Sequence, residues 1–571
     1  MAVTHEPICY GAVCFVRLWS DEQKFFGFAE YLAAVAVIAL AWTTADFRYK
    51  FRVATAPIPL EKLTFWVVAS IGVLTLLTDL WRAQSWYVLA GPVMTPAEWQ
   101  ALLGAAFLGN FILWVWFAFA RPSKFGPSND RRYANEVYRV LLKGSNTEVP
   151  EIADELIRSI PALIADAWVS RDEQPENVDN LKGRQRTRQL AYEVLMMLGN
   201  QKFCRHVVKS SPATAMELFA EMREQKRYQT ALSAFSRNFT TEVISDRDSF
   251  AYHESSGYES GLFGYVKPLT TSIYRNYAAV LGLRSLLDVD YETSRSWKAD
   301  QWKAYGKLVI AALENFVAVR GPWHYPPEIA RAVDLISNIP SGLHRLDGSD
   351  DWNSDEIAKL QVATDFAKQF IEALVPLKGN GYQWLRNREG RFSRDVYDLI
   401  ASLIFELLFS AAKVKGPRDL CWWIQHNIVW STLVTSATQD NCAAKVVLFK
   451  VRRLLFNELK RMETFANFKG TRLLGLMLNV MTFDEKNRLF PSEYPLRKAV
   501  LNWTRKNYSR IWHEGNPELG KSTLVDGVTY DEEAHTLIYT RPPLLDRETR
   551  RTLFVVDPYV ETASNPADNE A

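Results

Sequence analysis

The sequence predicts a mainly α protein. Three N-terminal transmembrane helices are followed by a large irregular α-helical, solenoid-like cytoplasmic region, with a small β-hairpin element near the C-terminus. Three observations predict this. Three strongly apolar runs fall within the first 120 residues. Apolar residues then recur at helical intervals from residue 133 to about 513. Beyond Ser522 the pattern changes to β-rich runs around Asp526-Gly527, a hairpin signal.

The apolar runs come first. Residues 26–45 carry one charge, Glu30; residues 63–81 carry one, Asp79; residues 101–120 carry none. Each approaches the ~20 residues that a spanning helix needs. A buried soluble helix is rarely apolar on all faces, and here the pattern occurs three times in succession. A lone hairpin with one interfacial helix is the competing reading. Orientation follows from Lys and Arg in the short loops. The first loop holds Arg48, Lys50, Arg52 and Lys62, the second only Arg82, and the segment after the third run Arg121, Lys124, Arg131 and Arg132. The first loop and the C-terminal bulk are therefore expected inside a bacterial inner membrane. The N-terminus and the second loop are expected outside, where an oxidising compartment would join Cys9 and Cys14. Inside the runs, Glu30 and Asp79 read as boundary anchors, the alternative being a polar pair at an assembly interface or narrow pore. Asn110 sits mid-run and can hydrogen-bond another span or another subunit.

The body follows. Ile152, Leu156, Ile157, Ile160, Leu163 and Ile164 keep helical spacing, as do later runs such as 398–412. A helix is expected to open at Ser211-Pro212, and another at Asn353, with Glu356 closing a variant capping box. No fixed repeat period is visible, so only an irregular solenoid is compatible. Polar stretches at 170–186 and 341–356 read as exposed linkers. The second resembles a calcium loop, but Trp352 and Ala358 stand where that loop needs Gly and Glu. The chain thus divides into an extracytoplasmic segment (1–25), a membrane domain (26–120), two helical domains (121–340 and the basic 353–513), a β-containing element (514–560) and a polar tail expected to be disordered (561–571).

Composition limits the functions available. With 67 Lys+Arg against 65 Asp+Glu, bulk charge does not make the 571-residue chain a polyanion binder. Five scattered cysteines without a C-x-x-C pair give neither a disulfide framework nor a structural zinc site. No metal and no cofactor is expected. Residues 515–523, GNPELGKST, match the phosphate-loop pattern at every fixed position. Their context differs: the lead-in reads as a helix end, Pro517 removes an N–H, and only 48 residues follow Thr523. A surface turn is the preferred reading.

Two stretches carry the remaining expectations. Residues 250–277 interrupt the helices with glycines and tyrosines. Tyr252, His253, Glu254, Tyr258, Gly261, Gly264, Lys267, Tyr274 and Tyr277 are read as a surface for a ligand, partner or headgroup, against an irregular packed loop. From Asn441 to Arg510, 15 Lys/Arg face five acidic residues, an excess of ten. There Lys450, Arg452, Arg453, Lys460 and Arg461 flank the apolar stripe of Leu448, Val451, Leu455 and Leu459. A solvated face competes with contact to the anionic inner leaflet; nucleic acid is disfavoured because no binding module accompanies the charge. The whole reads as a membrane-anchored, cytoplasmic-facing sensor, scaffold or adaptor. It would be oligomeric, more a non-enzyme than an enzyme, with the bilayer and an unidentified cytoplasmic protein or ligand as partners. The rivals are an oligomeric pore gated by the body and a nucleotide-dependent enzyme using the 515–522 loop.

Overall fold

Helix dominates the computed structural model. It describes residues 8–10, 13–17, 24–90, 95–145, 147–168, 181–228, 231–254, 259–260, 264–265, 267–321, 324–375, 395–435, 442–483, 493–513, 517–540 and 551–559. The chain forms two compact units, residues 1–235 and 236–571.

The first unit begins with strands β1 (Ile8–Tyr10) and β2 (Val13–Arg17), which pair antiparallel so that Cys9 faces Cys14 across the ladder. Helix α1 (Phe28–Thr44) is apolar but has only 17 residues, roughly 25 Å at 1.5 Å per residue. The expected first span is therefore shorter than its apolar run. The chain breaks at Ala45, and Asp46 caps a new helix, α2 (Phe47–Ala54), by accepting the Arg48 N–H. The two helices meet at 110°. Next come α3 (Leu60–Ala83), strand β3 (Tyr87–Ala90) and α4 (Pro96–Val115), which continues as a π-helical turn through Ala120. The segments 60–83 and 97–120 are long and apolar enough to cross a membrane, and the bent α1–α2 pair gives up to a third crossing.

Tyr31, Ile71, Leu103 and Phe107 form the core of the α1–α3–α4 bundle. Gly72 makes this packing feasible, since a Cβ there would come within 2.6 Å of the Tyr31 hydroxyl. The outward face is apolar: Leu40, Phe65 and Trp66 are each more than 60% exposed, as lipid-facing residues are. Strand β3 adds to β2, pairing Phe15 with Leu89 and Val16 with Val88. The N-terminal hairpin and the α3–α4 connection therefore lie at one end of the bundle, and α2 lies at the other.

The rest of this unit is helical: α5 (Asp130–Lys143), α6 (Glu148–Ile157), α7 (Ile160–Asp166), α8 (Gly183–Met197), α9 (Gln201–Ser210) and α10 (Pro212–Glu224). Ile152, Leu156, Ile160, Leu163 and Ile164 are fully buried, as their spacing predicts. The stretch 170–186, read as a linker, falls mostly outside the described residues, and its last residues open α8.

Helices α11 (Ser233–Ser245), α12 (Phe250–His253), α13 (Pro268–Ile273), α14 (Tyr277–Leu283) and α15 (Tyr291–Arg295) lead into the second unit, which is built on α16 (Ala299–Arg320), α17 (Pro327–Ser337), α18 (Asp355–Ala373), α19 (Val396–Ala411), α20 (Arg418–Trp422), α21 (Cys442–Arg461), α22 (Phe468–Met481) and α23 (Tyr494–His513). Among them α19 is buried on nearly all faces. A 13-residue π-helical stretch, Trp423–Thr435, packs beside it. The cap of α18 is Ser354 rather than Asn353, accepting the Glu356 N–H at 3.3 Å. The C-terminal element is a three-stranded antiparallel sheet of β6 (Val528–Asp531), β7 (Thr536–Thr540) and β8 (Arg551–Val555). The hairpin turn lies at 532–535; Asp526-Gly527 precedes the first strand instead. The polar tail lies outside the described residues.

Candidate functional site

The most constrained polar site joins the α2 elbow to the body helix α6. The Arg52 guanidinium meets the buried Glu155 carboxylate through two nitrogens, Nε at 2.9 Å and Nη2 at 2.5 Å. Its third nitrogen donates to the Ala118 carbonyl at the end of the third apolar helix, at 3.0 Å. One cation thereby fastens the elbow, the α4 terminus and the body. Arg48 adds a looser pair with Asp154 at 3.5 Å. Beside them stand two carboxyls, Asp46 and Glu151. Burial and the Asp46 carboxyl push Glu151 up to about 7, while Asp46, held by Glu151 and the Arg48 N–H, lies below the ordinary carboxylate value. Such a pair holds one proton more readily than two charges.

At the opposite end of the bundle, Cys9 and Cys14 are joined in a disulfide on paired strands. Glu30 and Asp79 meet at the start of α1. Glu30 accepts the Gly27 N–H and Asp79 the Phe28 N–H, both at 3.0 Å, and Lys24 approaches Asp79 at 3.7 Å. Both carboxylates thus serve the helix N-terminus, where the dipole favours them. Asn110 is buried between the helices and accepts from Thr64 at 3.4 Å.

The structure divides the residues proposed at 250–277. Tyr274 and Tyr277 belong to the core: Tyr274 shares a 3.0 Å hydrogen bond with Thr240, and Tyr277 stacks edge-on against Phe316 at 4.7 Å. Tyr252 donates to the Ile244 carbonyl at 2.6 Å, and burial raises its phenol well above the ordinary value. Glu254 caps the short helix Pro268–Ile273, accepting from Leu269 at 2.9 Å and Thr270 at 3.1 Å. His253 is exposed and Lys267 half-buried. Gly264 lies in a two-stranded ribbon, opposite Ser260. Tyr258 and Gly261 lie outside the described residues.

The basic stretch divides too. Leu448, Val451, Leu455 and Leu459 point inward, while Arg453, Lys460 and Arg461 are exposed and Arg452 is half-buried. Lys450 is not on the outer face expected for it. It is fully buried, 2.5 Å from Asp398 and 3.6 Å from Asp395. Two exposed rings adjoin the exposed cations: Phe449, one turn before Arg453, and Phe465, which is 75% exposed at the turn after α21. The periodicity reading missed them because it sought an apolar stripe, not its exceptions.

Pro517–Lys521 of the phosphate-loop match is one helical turn, and 514–516 lie outside the described residues. Gly520 lets this turn press on Trp512, whose ring would lie 2.6 Å from an added Cβ. Ser522 and Thr523 are turned inward, to Thr471 at 2.5 Å and Tyr508 at 3.0 Å, and Lys521 pairs with Glu518 at 3.0 Å. Among the described residues no group of three His, Cys, Asp or Glu side chains could hold a metal ion. No family model matches this chain, and neither a curated protein nor a solved structure matches it significantly.

Proposed function

We propose that this chain is a membrane-anchored sensor, scaffold or adaptor, non-enzymatic, whose helical body binds a partner on the cytoplasmic side of a bacterial inner membrane. In this reading α1, α3 and α4 are its three passes. The observation that carries it is the contrast between the two ends of the apolar bundle. One end bears a disulfide-closed sheet, suited to an oxidising compartment. The other bears the cationic elbow, locked to a body helix through Arg52 and Glu155. A change at the outer sheet would have a route to the body through α3, which leads into β3 and packs on α2, and then from α2 to α6. Glu30 and Asp79, engaged in capping α1, favour this reading over a gated pore. The inward-turned Ser522 and Thr523 favour it over a nucleotide-dependent enzyme. Arg453, Lys460 and Arg461, with Phe465, fit contact with anionic headgroups.

Two measurements test it. Cys442 is exposed and free, whereas Cys204 and Cys421 are buried. A membrane-impermeant maleimide should label Cys442 only after the cells are permeabilised, and labelling of intact cells would reverse the topology. Hydrogen exchange on the full chain in lipid nanodiscs then tests the sensor. Reduction of Cys9–Cys14 should speed exchange in α6; an unchanged α6 would leave the ends uncoupled and remove that function.

A further inference from the structure

Among α1, α3 and α4, on the α2 side of the bundle, lies a cavity of about 720 Å³, a volume typical of small-ligand sites. Its two ends differ in chemistry. Toward α2 it is lined by Glu61, Thr64 and Asn110, with the indoles of Trp42 and Trp114 meeting edge to face at 5.9 Å. This is the polar-aromatic mixture found at the depth of lipid headgroups and esters. Toward the sheet end the walls become apolar. The Tyr31 hydroxyl there is already committed to the Val68 carbonyl at 2.9 Å. Phe65, on the rim, is 64% exposed on the outward face of α3, so the cavity adjoins the surface that hydrocarbon would cover.

Asn110 points to the occupant. It is only 8% exposed, and its one hydrogen bond among the described residues is accepted from Thr64 by Oδ1. The Nδ2 donor is left to the cavity, and an unsatisfied amide in an apolar site is costly. A ligand there must therefore offer an acceptor. The Glu61 carboxylate at the same end disfavours an anionic head, so a neutral ester carbonyl fits better than a free carboxylate. We propose that this cavity binds one ester-linked acyl chain of a membrane glycerolipid, its carbonyl accepting from Asn110 Nδ2 and its methylenes running toward Tyr31. The inference goes beyond the sensor reading and rests only on the assignment of α1, α3 and α4 as membrane passes.

Native mass spectrometry of the full chain in detergent tests it, using graded diacyl phosphatidylethanolamine, its dialkyl ether analogue and palmitate. The wild type should retain one diester lipid, hold the ether about tenfold more weakly and hold no palmitate. Ala69→Phe, which fills the cavity, should abolish retention. Asn110→Leu should erase the preference for ester over ether. Leu102→Phe, on an exposed face, should behave as wild type. Equal binding of ester and ether, retention of palmitate, or full retention by Ala69→Phe would each overturn the site. If Ala69→Phe does not melt cooperatively, Ala39→Phe fills the same cavity from α1 and takes its place. A chain that stays in membranes washed with alkaline carbonate yet retains no lipid loses the site alone. A chain released by the wash loses the membrane passes as well.

Discussion

Lys450 shows what a charge count leaves out. In the sequence it is one of fifteen cations in a basic stretch; in the fold it is a fully buried ammonium between Asp398 and Asp395. Its partners lie about fifty residues upstream, and helical spacing carries no sign of them. The three tyrosines at 252, 274 and 277 illustrate the same limit. A tyrosine suits a contact surface or a core equally, and here partners outside its own helical turn settle the matter: the Ile244 carbonyl for Tyr252, the Thr240 hydroxyl for Tyr274 and the Phe316 ring for Tyr277. Removing one member of a buried ion set strands the others, so Lys450→Met should cost about 3–5 kcal/mol, read by guanidinium titration of the full chain in detergent. Asp395 supplies a pH test. Burial and the neighbouring Asp398 push its carboxyl up to about 6. The folded state therefore holds a proton that the unfolded chain releases near pH 4. The contribution is complete below that point and is lost as pH rises through about 6. Asp395→Asn keeps a side chain able to cap α19 and should remove this slope from a plot of midpoint against pH.

At the scale of elements, the helices were legible where an apolar stripe faces the core, because solvent exclusion alone imposes that period. The bend after α1 was not read, although its cause is local. Asp46 stands before a run alternating Arg, Lys and aromatic residues, a capping signal masked by the hydropathy of the preceding residues. The elbow so formed depends on Arg52. Arg52→Ala should destabilise the α2–α6 junction by about 3 kcal/mol, and Arg52→Lys should recover only part of this, since an ammonium lacks the two-pronged geometry. Glu151 makes the junction sensitive to pH. Its raised carboxyl gives stability that is complete below its ordinary value near 4.5 and is lost as pH rises through about 7. Hydrogen-exchange protection factors in α2 and α6, the rates corrected for intrinsic exchange, should therefore fall between pH 6 and 8, and Glu151→Gln should flatten that response.

Across the whole molecule, hydropathy identified the apolar N-terminal region because hydrocarbon leaves few residue types to choose from. It did not reveal that strand β2, already paired with β1, also pairs with residues 70 to 76 positions later, since strands of three to five residues are too short to show an alternating pattern. Strand β3 comes from the connection between the last two apolar helices, so synthesis order matters. The Cys9–Cys14 hairpin is made before residues 87–90, and its second strand keeps a bare edge until they pair with it. In the proposed topology, closure of that edge marks correct threading of the polypeptide, and a nascent chain stalled before this point would expose a strand open to illicit pairing with its neighbours.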